Sequence, residues 1–263
     1  MKIFTLKNKP VKAAVFYIII FFFWIGLWKV LSLLIGKEVL MPAPEVVAKR
    51  LFVLCGESAF WLAVLNSVLH ITIGMLVGVL AGVILAVIGY CSHILLAFSS
   101  PILSIVKTTP VASFIILALI WISRDYVPMF VSCLMVTPLI WQNTLTGLKN
   151  LSPQLKEVCI IHRIPLSRQI RLLYIPGTLP YFRAGFQTAM GFAWKAGIAA
   201  EVLTTPRRTL GKMLYDSKTY LETVDVFALT TVVILLSFLF EKLFIYLFKR
   251  TERHQKFGGV PVE

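Results

Sequence analysis

The sequence predicts an all-α integral membrane protein with about six membrane-spanning helices, on three observations. Hydrophobic residues fill 58% of the 263 positions and charged ones 14%, where ordinary soluble domains carry ~25% charged residues. The apolar residues gather into runs of ~20, long enough to cross a hydrocarbon core of ~30 Å as a helix. Lysine and arginine stand mostly beside these runs, in a chain of formal charge +14. That is the pattern of cytoplasmic loops and headgroup contact, so the expected partner is a lipid bilayer and not nucleic acid.

After a basic start at Lys2, Lys7, Lys9 and Lys12, residues 13–36 run apolar with Lys29 as the only charge. An apolar core this long, without an A-x-A-like site, reads as a retained first span and not as a cleaved signal peptide. Pro42 and Pro44 precede an amphipathic segment within 37–58 that suits the membrane surface. The second span, 60–90, carries Gly74, Gly78 and Gly82 at every fourth residue, a stripe that lets another helix approach closely. Residues 93–123 are broken by Pro101 and by Lys107-Thr108-Thr109-Pro110, which predicts a kinked helix or a short helix followed by a span. The fourth span, 126–147, is interrupted by Pro138 and followed by Trp141, Gln142, Asn143 and Thr144.

Residues 148–176 form the longest polar interval. Ser152 and Pro153 supply the N-cap and first-turn proline of a short helix that Pro165 should end, and Ser167 suits the cap of a second helix running to Pro176. The fifth span is expected at 178–203, a loop follows, and 225–248 is the sixth span before a basic tail. With the N-terminus inside, the 1–12 tail, the 148–176 loop and the 249–263 tail hold 4, 5 and 4 lysines and arginines, against 8 on the opposite side. Cytoplasmic segments retain that excess, so both termini are expected in the cytoplasm.

No G-x-x-x-x-G-K-[ST] loop, G-x-S-x-G elbow, H-E-x-x-H helix or carboxylate pair at catalytic spacing occurs, so no catalytic residue is assigned. Cys55, Cys91, Cys133 and Cys159 form no C-x-x-C pair, and His70, His93, His162 and His254 lack metal-ligand spacing; neither a metal nor a cofactor is expected on this chain. Polar groups inside spans are costly and tend to face a bundle interior or a water-filled path, which singles out Lys107, Gln142, Asn143, Arg183, Lys195 and Glu201. Arg183 and Glu201, near the ends of the fifth span, equally suit snorkelling to headgroups.

Glu157-Val158-Cys159, followed by Pro176 and Pro180, resembles the EAA loop of ABC importer permeases. The resemblance continues through Asn143-Thr144, Gly147, Leu179-Pro180, Gly185, Ala193-Trp194, Ala199-Ala200-Glu201, Leu210-Gly211 and Asp225-Val226-Phe227-Ala228. With Met41-Pro42-Ala43-Pro44 and Lys107-Thr108-Thr109-Pro110, the order and spacing are similar to the nitrate, sulfonate, taurine and bicarbonate branch over residues 40–250. Arg163 stands where that family's loop carries a glycine suited to a tight turn. Its presence implies either a turn reshaped around Pro165 or a contact of Arg163 with a partner.

The resemblance implies a single permease domain over residues 1–263, with a type I importer bundle and a cytoplasmic coupling helix seated in a groove of the ATPase. The coupling residues would be Leu155, Glu157, Val158, Cys159, Ile160 and Arg163. Lys107, Thr109, Gln142, Asn143, Trp194 and Glu201 would belong to the translocation path. The implied partners are a second permease copy as a homodimer, ATP-binding cassette ATPases that hold the ATP, and an extracytoplasmic solute-binding protein. The setting is the bacterial inner (plasma) membrane, crossed several times, and the motion is alternating access. The implied substrate is a small anion such as taurine, another sulfonate or nitrate. A pyrimidine vitamin precursor, or the role of energy-coupling subunit in a vitamin transporter, is the alternative. A membrane enzyme or assembly scaffold would instead have no ATPase partner.

Overall fold

The computed structural model of the chain describes residues 10–256, and its described elements are all helical. Helix α1 (Pro10–Ile35) precedes a short α2 (Pro44–Cys55) and the 34-residue α3 (Ser58–Cys91). Helices α4 (His93–Thr108) and α5 (Val111–Trp121) make a pair bent by 108°, and α6 (Val127–Lys149) follows. The break between α4 and α5 falls at Thr109-Pro110, while Pro101 lies inside α4. The proline that disrupts is the one next to residues able to leave the helix: Thr109 has extended backbone, with φ −75° and ψ 136°.

Three described stretches, Ile18–Ile35, Ser58–Cys91 and Thr223–Tyr246, are long and apolar enough to cross a membrane, and the bent α4–α5 pair passes the same test only when its two helices are taken together. Helices α6 and α9 (Ile175–Thr204) have crossing length, 23 and 30 residues, but carry more polar groups. Their position explains this. Both pack extensively on other helices, and together with α3 they form the centre of the bundle, so their surfaces meet protein more than lipid. By contrast, α1 exposes Phe21, Phe22, Phe23 and Trp24, which suits hydrocarbon.

The glycine stripe of α3 packs directly on α6. A Cβ on Gly78 would lie 2.6 Å from the Cys133 carbonyl oxygen and one on Gly82 2.7 Å from that of Thr137, while Gly74 lies against Met129. Ser132 Oγ donates to the Ala193 carbonyl at 3.2 Å, tying α6 to α9 in the same plane of contact. Gly78→Leu is therefore expected to force α3 off α6 and to destabilise the bundle by about 1–3 kcal/mol or more. Thermal melting of the detergent-purified protein reads this, and an unchanged midpoint would mean the two helices separate without cost.

Connecting segments sort to two ends. At one end Arg50 of α2 forms a bidentate pair with Asp225, its Nε and Nη2 donating to the two carboxylate oxygens at 2.6 Å each. Asn66 Nδ2 there donates to the Arg208 carbonyl at 3.0 Å, and the Arg207 N–H donates to Asp125 Oδ1 at 3.2 Å. At the other end Lys156 Nζ donates to Tyr90 Oη at 3.1 Å. This is the alternation expected when successive long helices cross the same layer.

Two boundaries differ from expectation. The 204–224 loop contains an ordered helix, α10 (Leu210–Thr219), ahead of α11 (Thr223–Lys256). No helix ends at Pro176, nor does Ser167 cap one: α8 (Leu166–Gln169) starts behind Pro165 and runs through a π turn (Ile170–Tyr174) into α9. A proline removes one N–H and crowds the carbonyl four residues back. The wider π turn just before Pro176 gives that crowding room. Of the predicted tails, residues 1–9 and 257–263 lie outside the described residues, while 10–12 begin α1 and 249–256 continue α11 to Lys256.

Candidate functional site

The polar interval begins with α7 (Pro153–Ile161). Ser152 Oγ accepts the Leu155 N–H at 3.4 Å and Pro153 takes the first turn, as the sequence predicts. The helix ends in a Schellman turn, with the Ile164 N–H donating to the Cys159 carbonyl (2.9 Å) and the Arg163 N–H to that of Ile160 (3.0 Å). Arg163 has φ +50°. It adopts the left-handed conformation that glycine takes without penalty, and the turn is not reshaped around Pro165. Arg163→Gly is expected to relieve ~1 kcal/mol of strain and raise the melting midpoint slightly; a fall would mean that the arginine's own contacts outweigh it.

Helix α7 has an inner and an outer side. Cys159 is buried against Leu148, Leu151 and Leu173, so this expected coupling residue is turned into the chain's own core, where it anchors the helix. Leu155, Val158 and Ile160 are 53%, 44% and 73% exposed, with Glu157 and Arg163 exposed beside them. Ile161, absent from the sequence expectation, is equally exposed and joins that apolar surface. Its place in the last apolar turn before the cap was the available signal.

Of the expected path residues, Lys107 and Gln142 come together: the Lys107 ammonium, in the last turn of α4 before the break, donates to Gln142 Oε1 on α6. Thr109 Oγ1 donates to the Ile105 carbonyl at 2.8 Å and closes the end of α4. Asn143 Nδ2 donates to the Leu139 carbonyl at 2.9 Å, and its side chain occupies the space left open by Gly185, where a Cβ would lie 2.6 Å from Asn143 Cβ. Trp194 is buried, stacked on Phe240 at 5.3 Å, with Nε1 donating to the Val233 carbonyl at 3.0 Å; it packs α9 against α11. Arg183 is half-buried and Lys195 exposed.

Glu201 does not snorkel. It is 0% exposed, and its Oε2 accepts from Ser67 Oγ at 2.7 Å and from the Gly211 N–H at 3.0 Å. Ser67 Oγ in turn accepts the Leu210 N–H at 2.9 Å. A carboxylate and a hydroxyl from two spans thus cap the first turn of α10, where the helix dipole favours negative charge. Glu201 Oε1 lies 3.9 Å from His70 Nδ1, and neither atom has a hydrogen-bond partner among the described residues. Sequence reading missed Ser67, His70 and Gly211 as a unit, although Ser67 and His70 are polar interruptions of an apolar span three residues apart, on one helical face.

Helices long and apolar enough to cross a membrane, a capped helical excursion at one end of the bundle, and polar groups held in its interior fit an all-α membrane permease. Residues 74–253 match the family described as the binding-protein-dependent transport system inner membrane component, and the chain belongs to that family. It is 26% identical over 207 residues to the nitrate import permease protein NrtB of Synechococcus elongatus, covering 75% of this chain and 74% of that one. It is 23% identical over 222 residues to the taurine transport system permease protein TauC of Escherichia coli (81% and 80%). It is 24% identical over 209 residues to the putative aliphatic sulfonates transport permease protein SsuC of Bacillus subtilis (78% and 74%). The resemblance to ABC importer permeases of the nitrate, sulfonate, taurine and bicarbonate branch is borne out. The chain is a permease subunit and not an enzyme, and its family implies an ABC ATPase and a solute-binding protein as partners.

Proposed function

We infer that this permease moves a small anion across the inner membrane, inward, as one of two copies in a complex with two ATPases that bind the ATP. The observation that carries the reading is α7, a short capped helix whose apolar side chains Leu155, Val158, Ile160 and Ile161 stand uncovered at one end of the bundle beside Glu157. Such a helix suits an apolar groove in a partner. The short link 162–165 joins it to α8, which runs through the π turn into α9, and this gives it a mechanical route to the bundle: moving α7 pulls on the base of a central helix. ATP-driven closure of the ATPase pair would then exchange outward- and inward-facing states, provided each state has its own affinity for solute and nucleotide. The anion assignment draws on relatives named for nitrate, taurine and aliphatic sulfonates, and on the Lys107 cation at a helix break.

In this reading six spans leave both termini and α7 in the cytoplasm, and the end bearing α2 and α10 meets the solute-binding protein. Thiols introduced at Lys218 and Gln154, both exposed, test the sidedness: external labelling at 218 and protection at 154 are expected in intact cells. Detergent pull-down of co-expressed subunits tests the function. Two permease copies with two ATPases are expected, with the ATPase lost in Ile160→Glu. One permease copy per complex would instead favour an energy-coupling subunit, and no ATPase at all an assembly scaffold. Lys107→Met is expected to lower uptake about tenfold, the effect of one charge-assisted hydrogen bond, at unchanged membrane abundance; unaltered uptake removes Lys107 from the path.

A further inference from the structure

We propose that an apolar cleft beside α7 binds one anionic phospholipid from the surrounding leaflet. The cleft, about 550 Å³ in volume, lies between α3, α6 and the continuous helix that runs from α8 into α9. Val83, Val87, Leu148, Ile170, Ile175 and Phe182 wall it, and none of its lining residues is charged. A transported anion would find no counter-charge there, whereas an acyl chain removes the apolar surface from water.

The hydroxyls of Thr144 and Thr178, which also line the cleft, are covered by protein, so its open wall is apolar. The charge lies at the edge. Tyr90 lines the cleft, and Lys156 Nζ sits 3.1 Å from its hydroxyl. Arg168 and Arg171, both exposed, belong to the helical segment that supplies Ile170. Across residues 148–176 five lysines and arginines face a single carboxylate, Glu157. A phosphodiester with net negative charge complements this edge better than a zwitterionic headgroup.

The inference rests on the membrane-spanning reading of the helices and on neither the ATPase nor the solute. The full chain would be purified in mild detergent, exposed to micelles containing phosphatidylglycerol or phosphatidylcholine, washed, and its retained lipid measured by mass spectrometry. Phosphatidylglycerol is expected to be retained preferentially. Lys156→Gln is expected to reduce that preference about fivefold, the effect of one basic residue at an anionic lipid surface, and Val87→Trp to abolish retention by filling the cleft. Cys91 also lines the cleft and is exposed. In a Cys55→Ser background, alkylating Cys91 of the folded protein with a bulky maleimide should displace the lipid without depending on a mutant's folding. Equal retention before and after alkylation overturns the proposal, as does a preference unaltered by Lys156→Gln. So does oxidative cross-linking of Cys91 between two chains, which would make a second copy the occupant of this face. Loss of the ATPase in pull-down, with the lipid result intact, would count against the transport reading alone.

Discussion

Glu201→Ala is expected to destabilise the bundle by about 3–6 kcal/mol, because two hydrogen bonds to a buried carboxylate are lost together. The donors left behind are Ser67 Oγ and the Gly211 N–H, and neither has water within easy reach: Ser67 is 0% exposed and Gly211 is buried. The damage should centre on α10. Its first turn is held by Glu201 and by the Ser67 hydroxyl that accepts the Leu210 N–H, and Gly211 packs so closely on the Glu201 side chain that a Cβ there has no room. Glu201→Gln keeps one acceptor oxygen in place and is expected to retain about half of that stabilisation. Thermal melting in detergent compares the three proteins, and protease sensitivity of the 205–224 segment reports where the loss falls. Equal midpoints for Glu201 and Ala would show that α10 is held by its apolar contacts alone.

That node also shows where sequence reading stops. Runs of apolar residues, capping pairs and the glycine stripe are local signals, and they correctly predict α1, α3, the Thr109-Pro110 break, α7 and a close-packed face on α3, though not that α6 is the helix packed there. Ser67 and Glu201 are 134 residues apart and Arg50 and Asp225 are 175 apart. No periodicity links such partners, because their pairing depends on how the helices are laid side by side. Glu201 therefore suits a translocation path or a headgroup contact equally well in the sequence, whereas it closes the base of α10. Cys159 is a similar case. Its position in the motif suggested a partner contact, but which side of a nine-residue helix faces home is decided by Leu148, Leu151 and Leu173, residues outside the helix. Pro176 misled for a different reason, since a proline signals a boundary only where the preceding turn has no room to widen.

Glu157→Pro is expected to abolish coupled uptake while leaving the permease in the membrane at normal abundance. Helix α7 has nine residues, so it owes its form to the Ser152 cap, the first-turn proline and the Schellman close more than to its length. A proline at its centre removes the N–H directed at the Pro153 carbonyl and adds a clash, at a cost of about 3 kcal/mol; that is roughly a hundredfold in the population of intact helix. The bundle should survive because α7 meets it mainly through Cys159 and the Lys156–Tyr90 hydrogen bond, while the α3, α6 and α9 contacts lie elsewhere. What is lost is the arrangement of Leu155, Val158, Ile160 and Ile161 as one exposed surface. Glu157→Gln separates the two effects. It leaves the helix intact and removes only the charge, so it should keep the ATPase in detergent pull-down with a modest loss of uptake, whereas the proline variant should release the ATPase or leave its hydrolysis unresponsive to solute. Normal uptake with the ATPase retained in Glu157→Pro would mean that α7 is not the coupling element, and the transport reading would then have to find its partner contact on another part of this end of the bundle.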